Sequence, residues 1–390
     1  MCKIMKRYAA KAISSSLIVM ALNFITFVAA TSNANADILF SAKIMGPVSN
    51  ITKINEAKQL TKITDNIRWR DMHAHRSHDG GIVFMSNREA DTRIDLKKQS
   101  ENFNIYILEP KSAMPSKITD DTNHELSPRF SPNGNWIAYM LDKGSSRELH
   151  IVDRQGKNNK KLATASLILD YSWSPDSLSL SYALVEENHS ALVIIDINNS
   201  KARTLVEFSS ELSAGSSVDD KRQIQIASPA WSPDGGKIAY IKHPLYRSAT
   251  RQLMLYDIKT RQNRLISGEG VQVQEPVSWS QNSKKLLYAG LVGYKFYYDE
   301  KRHRKTYQGG MQIFLSHDGK TQQLTQGPHL YKNPIFSPDE KRIAYLYADK
   351  LDDRTVSLNT MKLDGTSLDV LYESVAKNST LVWYEDPKKR

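Results

Sequence analysis

The chain has 390 residues, of which 40% are hydrophobic and 24% are charged, a composition that excludes a disordered or fibrous protein. A single cysteine, Cys2, excludes an intramolecular disulfide framework and any zinc or iron–sulfur site built from several cysteines. The formal net charge of +11 raises the question of an anionic partner such as nucleic acid, lipid headgroups or acidic polysaccharide.

The first 36 residues have the pattern of a secretory signal peptide. Four Lys and Arg residues within the first eleven positions precede an apolar stretch at 17–30, and Ala34-Asn35-Ala36 then offers the small residues that a signal peptidase reads. The apolar stretch is short for a membrane-spanning helix, which needs about 20 residues. We therefore predict cleavage before Asp37 and a periplasmic or secreted product with no transmembrane segment. An uncleaved membrane anchor is the alternative.

Cleavage changes the meaning of the charge. It removes Cys2 and four cations, which leaves 49 Lys and Arg against 42 Asp and Glu and a net charge of +7. A chain without cysteine avoids mispairing in an oxidising compartment. Export also argues against nucleic acid as the partner of the remaining positive charge.

One motif recurs five times between residues 130 and 345. Each copy has an aromatic residue, Ser, usually Pro, and Asp or Asn, followed by a short apolar strand that ends in Tyr. Pro and Asp suit the turn, and the apolar residues suit the strands that flank it. Successive copies lie 43, 58, 48 and 57 residues apart, a spacing typical of four-stranded propeller blades with variable loops. The copies begin at Phe130, Trp173, Trp231, Trp279 and Phe336.

Incomplete copies stand at both ends of the predicted mature chain. Ser77-His78-Asp79-Gly80 begins a further copy, and Ile38-Leu39-Phe40 matches a second strand that has no first strand before it. The segment 381–384 supplies such a strand, with Trp383 lying 47 residues after Phe336. We therefore predict an all-β protein in which residues 37–390 form a single β-propeller domain of four-stranded blades, closed by pairing of the N- and C-terminal strands.

The number of blades follows from the aromatic residues that end the second strands. Seven blades are favoured, and six blades with an N-terminal arm are the alternative. The seven strand-final aromatic residues are Phe40, Phe84, Tyr139, Tyr182, Tyr240, Tyr288 and Tyr345.

The motif, as in the stretch Trp231 to Tyr240, resembles the WD40-like repeats of the TolB-type β-propeller family. The resemblance covers nearly all of the predicted mature chain. Relatives of this type include TolB of the Tol–Pal envelope system, the propellers of prolyl-oligopeptidase-like enzymes, and oligogalacturonate lyases. We expect no room for the N-terminal α/β domain of TolB, because the repeats begin beside the predicted cleavage site. The sequence contains no Gly-x-Ser-x-Gly motif of the kind that carries a hydrolase nucleophile.

Five histidines are weak candidates for metal ligands. His73 and His75 would face the same side of a strand, close to His78, and two imidazoles with a carboxylate suit zinc. His124 and His329 lie six and seven residues before two of the motifs, which predicts positions near the start of an inner strand, at the channel mouth. The resemblance to oligogalacturonate lyases, which hold a metal with histidines from several blades, implies that these two residues could be ligands. The alternative for each histidine is an ordinary polar strand or turn. We predict no cofactor, with a divalent metal as the alternative.

Two groups of residues are candidates for binding a partner. Glu125, Asp170 and Glu275 each fall three to five residues before a motif, which predicts positions on inner strands facing the channel or its rim. The second group is an insertion at 294–307 in which aromatic residues alternate with cations. That composition suits an anionic glycan, a lipid headgroup or a carboxylate-rich peptide. Its candidates are Tyr294, Tyr297, Arg302, Arg304 and Tyr307.

These patterns predict an exported, non-catalytic binding or scaffold protein of the cell envelope, with an envelope protein or an anionic glycan as its partner. The alternative is a metal-dependent lyase or hydrolase that acts on acidic polysaccharide. The repeat names neither the partner nor the oligomeric state, because it encodes blade packing rather than chemistry.

Overall fold

The computed structural model describes residues 36–88, 102–120, 122–209, 223–245, 250–300 and 303–385, all of which belong to one compact unit. These residues form 28 β-strands and no helix, which confirms the all-β prediction. In this part of the chain no helix is long and apolar enough to cross a membrane. The predicted signal peptide lies outside the described residues, except for Ala36 at the start of the first strand, and stays a prediction.

Four of the sheets contain four strands each. In every one the strands follow each other in the chain and pair antiparallel. The first two are β4 (Asp71–Arg76), β5 (Ile82–Ser86), β6 (Asn104–Leu108) and β7 (Ser116–Lys117), then β8 (His124–Phe130), β9 (Trp136–Asp142), β10 (Arg147–Asp153) and β11 (Lys160–Ala165). The next two are β12 (Leu167–Trp173), β13 (Ser179–Val185), β14 (His189–Asp196) and β15 (Ala202–Ser209), then β16 (Ile224–Trp231), β17 (Lys237–Pro244), β18 (Gln252–Asp257) and β19 (Asn263–Leu265).

The remaining twelve strands form one sheet that contains three more four-stranded groups. Single residue pairs, Met311 with Leu330 and Ala42 with Val375, join one group to the next. The groups are β20 (Val271–Trp279), β21 (Lys285–Asp299), β22 (Arg304–His317) and β23 (Lys320–Gln323); β24 (Leu330–Phe336), β25 (Arg342–Ala348), β26 (Val356–Lys362) and β27 (Asp369–Val375); and β28 (Val382–Glu385) with β1 (Ala36–Met45), β2 (Val48–Asn55) and β3 (Leu60–Lys62).

The last group combines the two ends of the described chain. β28 pairs antiparallel with β1, and Val382 stands opposite Leu39 while Trp383 stands opposite Ile38. The predicted four-stranded unit is therefore confirmed. The number of blades and the closure of the ring stay predictions.

The Ser-Pro-Asp segments are turns that each Ser side chain holds together. In all five copies the Ser hydroxyl bonds the Asp or Asn two residues later at 2.5–2.9 Å. The same oxygen accepts the N–H five residues later at 2.9–3.0 Å. A short polar side chain that satisfies local backbone groups in this way is a strong turn signal, which is why the repeat could be read from the sequence.

The aromatic residues of the repeat pack within and between units. Six of the seven strand-final aromatics are at most 1% exposed, and Tyr182 is 5% exposed. Trp173 Nε1 donates to Arg129 O at 3.1 Å, and Trp279 Nε1 donates to Ala230 O at 3.0 Å, so each indole reaches the preceding unit. Burying a large apolar side chain contributes about 1.5–3 kcal/mol, and these residues therefore serve the core rather than a ligand cage.

Candidate functional site

The first strand is interrupted by a β-bulge in six of the seven four-stranded groups. The ladders between first and second strands shift register in six units, at β4, β8, β12, β16, β20 and β24. At four of these bulges a residue has positive φ: His73 at 52°, Ser127 at 53°, Ser228 at 47° and Asn333 at 53°. A bulge redirects the side chains around it, and such distortions cluster at functional sites. We call the residues at and beside these bulges the first-strand site.

An ion pair joins two of the bulged first strands. Arg129 Nη2 on β8 lies 2.8 Å from Asp170 Oδ1 on β12. Arg129 also donates to Tyr171 O, and its guanidinium lies 4.8 Å from the centroid of the Tyr171 ring. Ser228 Oγ on β16 lies 3.5 Å from Asp170 Oδ2. The side chains of Arg129 and Asp170 are 32% and 22% exposed, so the pair links three units and remains accessible to solvent.

Two imidazoles lie close to the same guanidinium. Burial, and then the positive charge of Arg129, lower the pKa of both His73 and His75 to about 4. His75 Nδ1 accepts the N–H of Phe130 at 3.3 Å, which requires an unprotonated nitrogen there. Both rings are therefore neutral at pH 7. A fixed guanidinium beside them also opposes a divalent cation, which weakens the case for a metal at this position.

A second charged group surrounds Glu275 on β20. Its carboxylate pairs with Arg251, whose Nη1 also donates to Gln274 Oε1 at 3.2 Å. Burial, and then Lys377, lower the pKa of Lys332 on β24, and Glu275 partly offsets this. The Glu275 side chain is 42% exposed, so this predicted residue is accessible to a partner. Carboxylates of the first strands thus lie beside cations, one of which, Arg251, directly precedes the third strand β18.

Glu125 is placed differently from Asp170 and Glu275. Its side chain is 1% exposed and accepts hydrogen bonds from Ile105 N at 3.2 Å and from the Thr119 hydroxyl. The expectation that Glu125 faces the channel or its rim is therefore wrong. Its carboxylate ties β8 to the edge of the preceding unit, where it satisfies a backbone donor.

The structure does not bring the five candidate histidines into one metal site. His78 packs against Gly134, His124 lies beside the Phe103 ring, and His329 Nδ1 lies 3.3 Å from the Tyr347 hydroxyl oxygen. Among the residues that the structure describes, no group of three or more His, Cys, Asp or Glu side chains could hold a metal ion. The metal alternative thus has no ligand set in this part of the chain.

The basic and aromatic insertion forms the far ends of β21 and β22. Tyr294, Tyr297 and Tyr307 are 41%, 43% and 37% exposed, so three of the predicted binding residues lie at the surface. Arg304 begins β22 opposite Asp299 in the ladder. Arg302 lies outside the described residues.

Sequence reasoning missed the cations of the first-strand site. Arg129 and Arg251 pair with the two accessible carboxylates, yet neither belongs to the repeat motif. Arg129 stands two residues before the motif Ser, at the same offset as His75 and Ser172. Aligning the copies at that offset would have shown a polar residue in four of six copies, with Ala230 and Ile335 in the other two.

No family model matches the sequence. A curated relative, the uncharacterized peptidase YuxL of Bacillus subtilis (strain 168), is 22% identical over 208 residues, which cover 51% of this chain and 26% of the relative. The chain thus spans about a quarter of the length of that relative. Puromycin hydrolase matches with a TM-score of 0.59 and 13% identity over 87% of this chain and 52% of that chain. TolB from Acinetobacter baumannii matches with a TM-score of 0.51 and 12% identity over 89% and 82%.

The fold is that of a TolB-like β-propeller. The prediction of a non-catalytic binding scaffold of the cell envelope is wrong, because the curated relative found by sequence is named a peptidase. The reason lies in what the motif encodes. Turn chemistry and blade packing are common to propellers of many functions, so they specify the architecture and leave the activity open.

Proposed function

We propose that this chain is the β-propeller of a hydrolase that acts on peptides or related amides, and that the first-strand site binds the substrate. The observation that carries the proposal is the sequence match to the peptidase YuxL over 208 residues. Half of this chain takes part in that match, and the match is to the sequence rather than to the fold alone.

The chemistry of the site supports a peptide as the ligand. Arg129 and Asp170 place a guanidinium and a carboxylate beside each other, partly open to solvent. Those groups complement the carboxylate and the ammonium group of a short peptide, and charge-assisted hydrogen bonds of this kind are the strong ones. The neutral rings of His73 and His75 add polar surface without adding charge.

The proposal includes a closed ring of seven four-stranded units. The pairing of β28 with β1 supports it, and so do the contacts of β28 with both β4 and β24. In such a ring the first strands surround a central channel, so the first-strand site would line the route by which a substrate enters. Export by the segment 1–36 belongs to the same proposal and places the activity in the periplasm or outside the cell.

The attacking nucleophile is left unassigned, because the sequence contains no Gly-x-Ser-x-Gly motif. Two measurements on the purified chain therefore belong together. One follows the release of p-nitroaniline from a panel of aminoacyl and acyl-peptide p-nitroanilides. The other follows the binding of fluorescein-labelled short peptides by anisotropy.

We expect peptide binding to weaken at least about tenfold, or about 1.4 kcal/mol, in Asp170→Asn and in Arg129→Gln. The matched control is the pair Lys62–Asp65, whose side chains are 56% and 66% exposed, with the changes Lys62→Gln and Asp65→Asn. Circular dichroism checks that each variant is folded. The proposal fails if the chain neither binds nor hydrolyses any member of the panel, or if the Arg129 and Asp170 variants bind as the control does.

A further inference from the structure

β21 and β22 continue beyond their unit as a two-stranded ribbon. We define the ribbon as residues 294–299 and 304–308, whose ladder runs from the pair Lys295–Gln308 to the pair Asp299–Arg304. β20 pairs with β21 only as far as Val292, and β24 meets β22 only at Met311. In the described residues, therefore, the outer edge that residues 304–308 form pairs with no neighbouring strand.

One face of the ribbon is aromatic. Side chains alternate between the faces of a strand, and Phe296 stands opposite Tyr307, so Tyr294, Phe296, Tyr298 and Tyr307 share a face. Their exposures are 41%, 52%, 55% and 37%. The rings of Tyr294 and Phe296 lie 6.2 Å and 5.6 Å from that of Tyr307, and such cross-strand pairs stabilise a hairpin that would be marginal alone. More than half of Tyr298 nevertheless remains in contact with water, and the face as a whole is an exposed apolar patch.

The charge of the insertion selects among partners. The ribbon includes three Lys and Arg residues and one Asp, a net charge of +2. The ribbon of a second copy would bring like charges together, whereas an acidic partner would be attracted. An anionic glycan would meet the charge but could not extend the ladder. An extended peptide meets both requirements, because its backbone can pair along an open strand edge.

We propose that the ribbon is a docking site for an acidic, extended peptide segment of a partner protein. The segment adds as a strand along an outer edge of the ribbon, sets its apolar side chains against the aromatic face, and pairs its carboxylates with the ribbon cations. The proposal does not depend on the hydrolase function, because it uses only the open edge at residues 304–308, the aromatic face and the charge of this segment.

The probe is a short fluorescein-labelled peptide that alternates Glu with Val, measured by anisotropy with the full chain. A peptide with Lys in place of Glu, the acidic peptide N-methylated at alternate amides, and a labelled heparin oligosaccharide complete the set. We expect the acidic peptide to bind, the Lys peptide not to bind, and N-methylation to weaken binding at least about tenfold, because it removes the donors of the ladder.

Two variants of the ribbon test its residues. Lys295→Glu with Arg304→Glu should weaken binding of the acidic peptide at least about tenfold, and Tyr298→Ser should weaken it severalfold. The matched control reverses the charge of two exposed lysines outside the ribbon, Lys259→Glu with Lys320→Glu. It should change binding of the acidic peptide less than about twofold. Equal melting temperatures show that the variants are folded.

Each contrary result overturns the proposal in a different way. If the ribbon variants bind the acidic peptide as tightly as the parent chain does, the ribbon is not the binding site. Equal binding of the N-methylated peptide excludes strand addition. If heparin binds through the ribbon and the acidic peptide does not bind, the ribbon is a glycan site. If no probe binds, the ribbon has no docking function of this kind.

Discussion

The imidazoles of His73 and His75 should make the stability of this protein depend strongly on pH. Burial and the charge of Arg129 lower the pKa of each ring from 6.5 to about 4 in the folded chain. In the unfolded chain both rings return to their ordinary pKa. Between pH 6.5 and pH 4 the unfolded state therefore binds more protons than the folded state, and the free energy of unfolding falls as the pH falls.

The size of the effect follows from the two pKa values. One pKa unit corresponds to about 1.4 kcal/mol, so each ring lowers the free energy of unfolding by about 2 kcal/mol between pH 7.5 and pH 5. The two rings together give about 4 kcal/mol at most, because they share the field of Arg129. Typical domains have only about 5–15 kcal/mol of stability in total. The loss should therefore be visible in equilibrium unfolding.

Urea unfolding at pH 7.5 and pH 5, followed by circular dichroism, measures the effect. We compare the parent chain with His73→Asn, His75→Gln and the double variant. Asn tolerates the positive φ of 52° at position 73, and Gln can accept the N–H of Phe130 as the His75 ring does. His317→Gln, at a residue whose side chain is 45% exposed, is the control.

We expect each single variant to lose about half of the pH dependence and the double variant to lose most of it. Carboxylates such as Asp79 and Glu148, whose pKa values the fold lowers, titrate in the parent and in the variants alike, so they cancel in the comparison. If the double variant lost as much stability between pH 7.5 and pH 5 as the parent chain, the argument from burial and Arg129 would be refuted.

Three further changes test how the units are held together, each by urea unfolding. Gly156→Ala should destabilise the chain by about 1–3 kcal/mol more than Gly144→Ala. A Cβ at position 156 would lie 2.5 Å from Ile118 O, whereas one at position 144 meets nothing within 4 Å. Both glycines have positive φ, so the backbone strain of the two variants is matched. Equal costs would contradict the clash. Ser232→Ala should cost about 1–2 kcal/mol by leaving turn donors unpaired, and a smaller loss would show that water replaces the hydroxyl. Trp279→Phe should cost about 1 kcal/mol through its lost Nε1 donor, and no loss would show that the bond to the preceding unit is unimportant.

The four-stranded units could be predicted because their signals are local. The Ser of each turn bonds residues two and five positions away, so the turn is written in a short stretch of sequence. The strand-final aromatics, such as Phe84 and Tyr240, are buried as their periodic positions predict. Signals of this kind need no knowledge of which unit lies beside which.

The site could be predicted only in part because it depends on contacts between units. Glu125 and Asp170 both precede a motif, at offsets of five and three residues, yet one is buried against Thr119 and the other pairs with Arg129. Where a first strand has a bulge, the bulge shifts the alternation of side chains, and its position differs between β8 and β12. Nothing in a single copy of the motif shows which way a given carboxylate will point.

The ribbon and the first-strand site begin at the same end of their unit. Val271, the first residue of β20, pairs with Val292, the last residue of β21 that pairs with β20, and Glu275 follows four residues later on β20. In the proposed ring, a peptide docked on the ribbon would therefore lie beside the route to the first strands. We expect a saturating acidic peptide to weaken binding of the labelled substrate peptide at least about fivefold, and the substrate peptide to weaken binding of the acidic peptide by the same factor, because linkage is reciprocal. Lys295→Glu with Arg304→Glu should abolish the effect. If the two peptides bind independently in the parent chain, the ribbon does not control access to the first-strand site.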